Sequence, residues 1–346
     1  MADSDSVRAL VRAFCADIGR DRLLVQGAGG NVSWKDGDVL WVKASGCWLA
    51  EADQREIFVP VALNELREAI QAGNFDFAPK AMEGGSGLKP SIETMLHALM
   101  PHKVVVHLHA VEVLAHLVRE EGLQGIARAL GDVVSWRAVP YRKPGGELAR
   151  SIAEALGQDS DIDVVFMVNH GLVIGGESTA DVAAKLALLV GRLALPANFA
   201  APRQVADESL SQAGYARVDD VAVQSLAFEP QWFDRLPRDW ALYPDHVVFL
   251  GARPFVYEST DDLLQLCKTA DPAPELAFVR GNGVYARASF NKAKVEQIKC
   301  YADVLVRQQP ADRLQSLSQQ DIGEVLNWDA ERYRQELNRG SQSVAR

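Results

Sequence analysis

The run Val104-Val105-Val106-His107-Leu108-His109 constrains this chain more than any other stretch of it. It reads as a buried strand. Side chains alternate along a strand, so His107 and His109 share one face, while Val106 and Leu108 turn to the other and pack on helices. Two imidazoles on an apolar strand are costly to bury unless something pairs with them. Their spacing lets both reach one ion, and neutral imidazole is the commonest metal ligand. Taken alone, the pattern fits equally well two solvated histidines on a half-exposed strand.

His170 changes that balance. It sits in Val168-Asn169-His170-Gly171-Leu172, a tight turn directly after the strand predicted at 164–168. Gly171 permits a positive φ there. A turn histidine bonded to backbone is the plainer reading of this residue by itself. Three imidazoles with an open fourth position make the pattern of a catalytic metal site rather than a closed structural one. Zn2+ is the first expectation, with Mn2+, Co2+ or Fe2+ as alternatives, because such sites accept several ions.

Glu93 belongs to Lys89-Pro90-Ser91-Ile92-Glu93-Thr94. The sequence predicts a helix capped by Ser91 and running to about His102, with Glu93 in its first turn. An acid there complements the helix dipole, whatever else it does. His97 lies four residues on and shares its helix face, as a supporting residue rather than a ligand. Further upstream, Gly27-Ala28-Gly29-Gly30-Asn31-Val32-Ser33 and Lys43-Ala44-Ser45-Gly46 form two glycine-containing loops. Glycines let backbone amides approach an anion, and Asn31, Ser33 and Ser45 add donors. Neither loop is a GxxxxGK[ST] or GxGxxG phosphate motif, and a plain loop with a hairpin uses the same residues.

Around these motifs the periodicity predicts helices at 5–19, 61–72, from about Val111, at 147–157 and from Thr179 to Leu193. A hairpin turns at Trp34–Asp38, residues 74–90 read as loop, and loop plus strand fills 131–141. Residues 195–214, rich in Ala, Pro and small polar residues, mark a boundary. A strand at 246–250, a helix at 260–269, a strand pair at 275–287, a helix from about 289 to 308 and a polar helical tail at 311–346 follow. Two domains are expected: 1–200, carrying the motifs, and a smaller α/β region at 215–346.

Residues 276–305 can be laid over 164–193 with Phe278 on Phe166, Gly283 on Gly171 and Asn282 on His170. A degenerate partial repeat leaves such a trace, and a strand-turn-strand-helix pattern also recurs by chance. If the repeat is real, its second copy has lost a metal ligand and its role is structural.

Charge and composition exclude several partners. The formal net charge is -10, whereas a phosphate-backbone binder needs a basic face, so no nucleic acid is expected. No stretch of about 18 apolar residues is present, so no membrane span is expected. The start, MADSDSVRALVRAF, lacks the basic and then apolar regions of a secretory signal. The four cysteines, Cys15, Cys47, Cys267 and Cys300, form no CxxC pair, which fits a reducing cytoplasm.

The motifs GNVS, KASG, KPSIET, HLH and NHG occur in this order, and over roughly residues 5–195 the chain resembles the class II aldolase/adducin family. The resemblance implies a three-layer α/β/α domain around a mainly antiparallel sheet. It also implies a homo-oligomer, tetramer or dimer, with the active site at subunit interfaces. It places the family's metal ligands on His107, His109 and His170 and its acid/base on Glu93. Its phosphate-binding positions fall on Gly30, Asn31, Ser45, Gly46 and Ser91. The family's epimerases carry Asp where Glu93 stands, and the adducin head lacks the histidines.

Three departures matter. Ile92 replaces a phosphate-binding serine, the interval from Glu93 to His107 is short, and residues 111–135 contain no tyrosine. The family's proton donor to the aldehyde oxygen therefore has no counterpart at its usual place. Beyond the boundary, YPDHVVFLGARP and NWDAERYRQEL resemble the segment that follows the aldolase part of bifunctional rhamnulose-phosphate aldolase/dehydrogenase proteins. No GxGxxG and no YxxxK supports a dehydrogenase here.

The implied function is a metal-dependent aldolase, a class II aldehyde-lyase, cleaving a carbon-carbon bond of a ketose phosphate through a metal-stabilised enediolate. A decarboxylase acting on a hydroxy acid, which Ile92 favours, or a sugar-phosphate epimerase is the alternative. A catalytically silent, adducin-like assembly protein, holding no metal, is the third reading.

Overall fold

A strand order of β3-β2-β1-β4-β7-β6-β5 puts the histidine-bearing strand at the centre of a seven-stranded sheet. The computed structural model describes residues 2–82, 87–157, 159, 161–199, 207–270 and 272–327. The chain divides into two compact units, one taking in Met1–Leu117 with Glu121–Ala194, the other Val118–Glu120 with Leu195–Leu326. The strands of the first are β1 (Asn31–Asp36), β2 (Val39–Lys43), β3 (Phe58–Ala62), β4 (Val104–Leu108), β5 (Trp136–Val139), β6 (Val164–Met167) and β7 (Gly171–Gly176). All neighbours pair antiparallel except β5 and β6, which are parallel.

Period-two alternation sorts the sheet's side chains into two cores. Val104, Val106 and Leu108 join Phe166 and Ile174 in the larger one, with Val113, Ile126, Val182 and Leu186 from helices on that face. Val105, Val165 and Val173 point the other way, onto Leu96 of the helix Thr94–Leu99 and Leu148 and Ile152 of Gly146–Leu156. The result is the expected three-layer α/β/α arrangement around a mainly antiparallel sheet.

Local chemistry explains where the elements depart from the sequence pattern. The β1–β2 ladder continues to Asp36 paired with Val39, so the turn is only Gly37 and Asp38. Gly37 has φ 57, a value natural for glycine in a tight hairpin. Trp34 faces Trp41 across the strands, rings stacked at 5.5 Å. Strand β3 escapes the periodicity because Pro60 interrupts it; proline lacks the ladder N–H and is tolerated at an edge, which is where β3 lies. The helix expected from Ser91 to His102 is shorter, Thr94–Leu99, and Glu93 rather than Ser91 is its cap residue. Pro101 disfavours helical backbone at the residue before it, and Met100 is extended with ψ 131.

The second unit holds a four-stranded sheet of order β8-β11-β10-β9, made of β8 (Tyr215–Arg217), β9 (Val256–Tyr257), β10 (Leu276–Val279) and β11 (Gly283–Arg287). The strand expected at 246–250 is instead the helix Pro244–Leu250, with proline in its first turn. Proline suits that position because its missing N–H would have no helical partner anyway. A five-residue apolar run does not distinguish strand from buried helix. Of the helical tail expected at 311–346, residues 311–318 are not helical, and a helix runs over Gln319–Leu326. The rest of the expected helical tail, from 328, lies outside the described residues, as do 83–86 of the predicted loop and 200–206 of the predicted boundary. Among the described residues no helix is long and apolar enough to cross a membrane.

His246 is fully buried among the rings of Trp240, Tyr243 and Tyr301, at centroid distances of 4.4, 5.5 and 4.6 Å. Burial pushes its pKa down from 6.5 to about 3. The unfolded chain takes up this proton below pH 6.5 and the folded chain does not, so stability falls as pH drops from 6.5 toward 3. The slope is about 1.4 kcal/mol per pH unit. Urea unfolding at pH 7.5 and pH 5 should show His246→Phe losing about 2 kcal/mol less than the parent across that interval.

Candidate metal centre

The centre is built by β1, β4, the β6–β7 turn and the start of one helix. β4 pairs with β1 on one side, with Asn31 opposite His107, and with β7 on the other, with Val173 opposite His107. His109 follows the end of β4. His170 occupies the turn between β6 and β7, where its N–H donates to the Met167 carbonyl at 3.1 Å. Asn169 before it has φ 55, in the left-handed region that asparagine tolerates better than most residues. Gly171 after it packs so closely that a Cβ would lie 2.3 Å from the Leu108 carbonyl oxygen.

The three histidines converge. One ring nitrogen from each lies within 4.8 Å of the others, and all three residues are buried. His107 Nε2 and His109 Nε2 are 3.1 Å apart. Nitrogens held about 2.0–2.1 Å from a tetrahedral zinc lie roughly 3.4 Å from one another, so the spacing suits one ion. His107 Nδ1 is 3.0 Å from the Leu172 carbonyl oxygen. A carbonyl only accepts, so Nδ1 carries the proton, and the neutral ring turns the lone pair of Nε2 into the cluster. A backbone acceptor on the outer nitrogen is how metal-bound imidazoles are commonly oriented. The donor set therefore fits a divalent ion, held by His107, His109 and His170.

Glu93 closes the cluster. Its Oε2 is 3.4 Å from His107 Nε2 and its Oε1 is 3.3 Å from His170 Nε2. Burial works against its ionisation, but the imidazoles of His107, His170 and His109 and the Asn31 amide outweigh it and bring the pKa to about 2. Glu93 is thus a carboxylate at neutral pH, buried and aimed at the centre.

A hydrogen-bonded chain fixes that carboxylate. Asn31 Nδ2 donates to Glu93 Oε2 at 2.9 Å and to Ser91 Oγ at 3.2 Å. Its Oδ1 accepts from His97 Nε2, and His97 Nδ1 accepts from Ser33 Oγ at 2.8 Å. Burial above all pushes the His97 pKa down to about 3, so the ring is neutral, with Nε2 the donor and Nδ1 the acceptor. His97 supports the site through Asn31 and does not ligate.

The remaining sequence candidates lie around this group. Ser91 Oγ accepts from the Glu93 N–H at 3.2 Å. Gly30 has φ 62, and a Cβ there would come within 2.8 Å of the His107 carbonyl oxygen. Ser45 and Gly46 stand further out; the Ser45 N–H donates to the Lys89 carbonyl at 2.9 Å, which ties their loop to the segment carrying Ser91. The sequence reading missed Lys43. Its ammonium is buried and donates to the carbonyls of Ala28 at 2.8 Å and Cys47 at 2.7 Å, clamping both glycine-containing loops. A lysine at an inward position of β2 was the available signal.

Comparisons with known proteins bear on this arrangement. The family model described as class II aldolase and adducin N-terminal domain matches residues 9–195. An uncharacterized oxidoreductase of Bacillus subtilis, YuxG, is 32% identical over 177 residues, covering 47% of this chain and 25% of that protein. The chain thus spans a quarter of that relative's length. The N-terminal class II aldolase domain of a conserved protein from Thermoplasma acidophilum is 28% identical, with a TM-score of 0.45, over 53% of this chain and 90% of that one. An L-fuculose-1-phosphate aldolase from Thermus thermophilus is 19% identical, with a TM-score of 0.38, over 54% and 90%.

Two substitutions test the construction. His109→Ala should lose stoichiometric metal by elemental analysis, and a chelator should no longer lower its Tm. Lys43→Met strips a donor from two buried carbonyls and should cost about 1–3 kcal/mol in urea unfolding.

Proposed function

We propose that this chain, which belongs to the class II aldolase and adducin family, is a metal-dependent aldolase that cleaves a carbon-carbon bond of a ketose phosphate. One observation carries the reading: three buried imidazoles converge with an ionised carboxylate 3.3 and 3.4 Å from two of them. A divalent ion held there, zinc in the first place, supplies Lewis-acid stabilisation for the negative charge that develops on substrate oxygens as the bond breaks.

The chain's own groups do the rest. Glu93 starts as a carboxylate, so in the bond-forming direction it takes a proton from the carbon beside the carbonyl, and in cleavage it returns that proton. The Asn31 amide holds one carboxylate oxygen at 2.9 Å, which keeps the other turned toward the centre. The loops carrying Gly30, Asn31, Ser45 and Gly46, with Ser91, receive the substrate's anionic group through backbone and side-chain donors.

A second reading, a decarboxylase of a hydroxy acid, draws on two features. Ile92 presents no hydroxyl to an anion, and the Asn31 amide nitrogen is already engaged by Glu93 and Ser91. A panel of phosphosugars and hydroxy acids, assayed with and without a chelator, separates the two by aldehyde release against CO2 release. Glu93→Gln should abolish turnover, by 100-fold or more on the order expected for a lost general base, while metal content persists. Turnover retained in that variant would remove Glu93 from the mechanism.

A further inference from the structure

The two units share a path of the chain that extends well beyond their hairpins, β6–β7 and β10–β11. In the first, β4 is followed by helices, then β5, the helix Gly146–Leu156, β6, the tight turn, β7 and the helix Thr179–Leu193. In the second, β8 is followed by helices, then β9, the helix Thr260–Cys267, β10, a tight turn, β11 and the helix Lys292–Leu305. The sheet orders correspond strand for strand, β4-β7-β6-β5 with β8-β11-β10-β9. So do the directions: β5 and β9 run parallel to the strand beside them, and the other pairs are antiparallel.

The correspondence reaches individual residues. Met167 pairs with Gly171 and Val279 with Gly283. The His170 N–H donates to Met167 at 3.1 Å, and the Asn282 N–H to Val279 at 3.0 Å. The residues before these have φ 55 and 65, and those after them 159 and 149. The following helices are both capped by a side chain, Ser178 and Asn291. Through the hairpin, Val173 corresponds to Tyr285. His107 pairs with Val173 and Arg217 with Tyr285, so Arg217 takes the place of His107 and Asp219 that of His109.

The acid has a counterpart as well. Glu93 is the cap residue of the helix that precedes β4, and Asp207 is the cap residue of Glu208–Gln212, which precedes β8. Glu93 lies 3.3 Å from His170, and Asp207 accepts from Asn282 at 2.7 Å. No overlay of the hairpins requires that second contact, and chance recurrence of a strand-turn-strand-helix pattern does not supply it.

We infer that the second unit is a partial duplicate of the site-bearing half of the first, in which the metal position has become a hydrogen-bonded knot of Asp207, Thr260, Asn282 and Tyr285. Asn282 Nδ2 donates to Asp207 and to Thr260 Oγ1 at 2.7 Å each, and its Oδ1 accepts from the Tyr285 hydroxyl. An amide nitrogen has no lone pair for a metal, and the guanidinium at Arg217 repels one. The position in the second unit therefore holds no metal, and among the described residues the histidine triad is the one metal centre. This rests on reading the histidine triad as a metal site.

Zinc bound after equilibrium dialysis, counted by elemental analysis, tests the inference. The parent should hold one zinc per chain. None would overturn the reading of the triad itself, and two would overturn the loss of the second site. Arg217→His, Asp219→His and Asn282→His combined should raise the count to two without altering the first site. The gentler pair Arg217→His and Asn282→His keeps Asp219 as a carboxylate ligand and should do the same. A count still at one in a variant whose Tm shows it folded would overturn the positional equivalence. Cobalt(II) gives a second readout, since a new site adds its own visible absorption bands.

Discussion

Strand β4 runs through the middle of the larger sheet, and on it His107 donates its Nδ1 proton to the Leu172 carbonyl of the next strand. Much of the site depends on that bond. It fixes the tautomer, and the tautomer decides that a lone pair faces His109 and His170 instead of a proton. The bond is available only because β4 and β7 are in a register that brings Leu172 within reach, with Leu108 paired to it. Slipping the register by one residue would turn His107 into the opposite core and leave apolar neighbours such as Val106 and Leu108 facing the cluster. The apolar packing that secures the register is therefore also what positions the chemistry.

Beside the histidines a set of polar groups is joined by hydrogen bonds, although all are buried. Ser33, His97, Asn31 and Glu93 form a single line of donors and acceptors. Its direction is set at one end by a carboxylate that can only accept. Removing any member leaves a buried neighbour without its partner, so these residues act as a unit and single deletions should not add.

Much of this was legible in the sequence. The alternation in Val104–His109 placed two imidazoles on one face, and the glycine after His170 marked a turn where a side chain could aim inward. Other features were invisible because tertiary context decides them. Pro60 hid β3, whose place at an edge makes the proline harmless. Pro101 ended the helix at Leu99, short of the expected His102, and at the other end Glu93 rather than Ser91 is the cap residue. The run at 246–250 folds as helix because proline stands in its first turn. The repeat was faint in sequence for a physical reason: hairpin geometry constrains glycines and a few core residues, whereas the polar positions of a site no longer in use are free to drift. Register and the Asp207–Asn282 contact supply what identity alone could not.

The edge position of β3 has a consequence for self-association. An open sheet exposes unpaired N–H and C=O groups at each end, and another chain can add a strand there and begin a fibre. Pro60 removes one of the donors such an incoming strand needs, and the Met82 N–H already occupies its carbonyl. The opposite end is β5, only four residues long, with the charged Arg137 in its middle. Short length and charge both discourage strand addition. The proline that obscured β3 in the sequence thus helps to keep the apolar, valine-rich centre of this sheet from recruiting further copies.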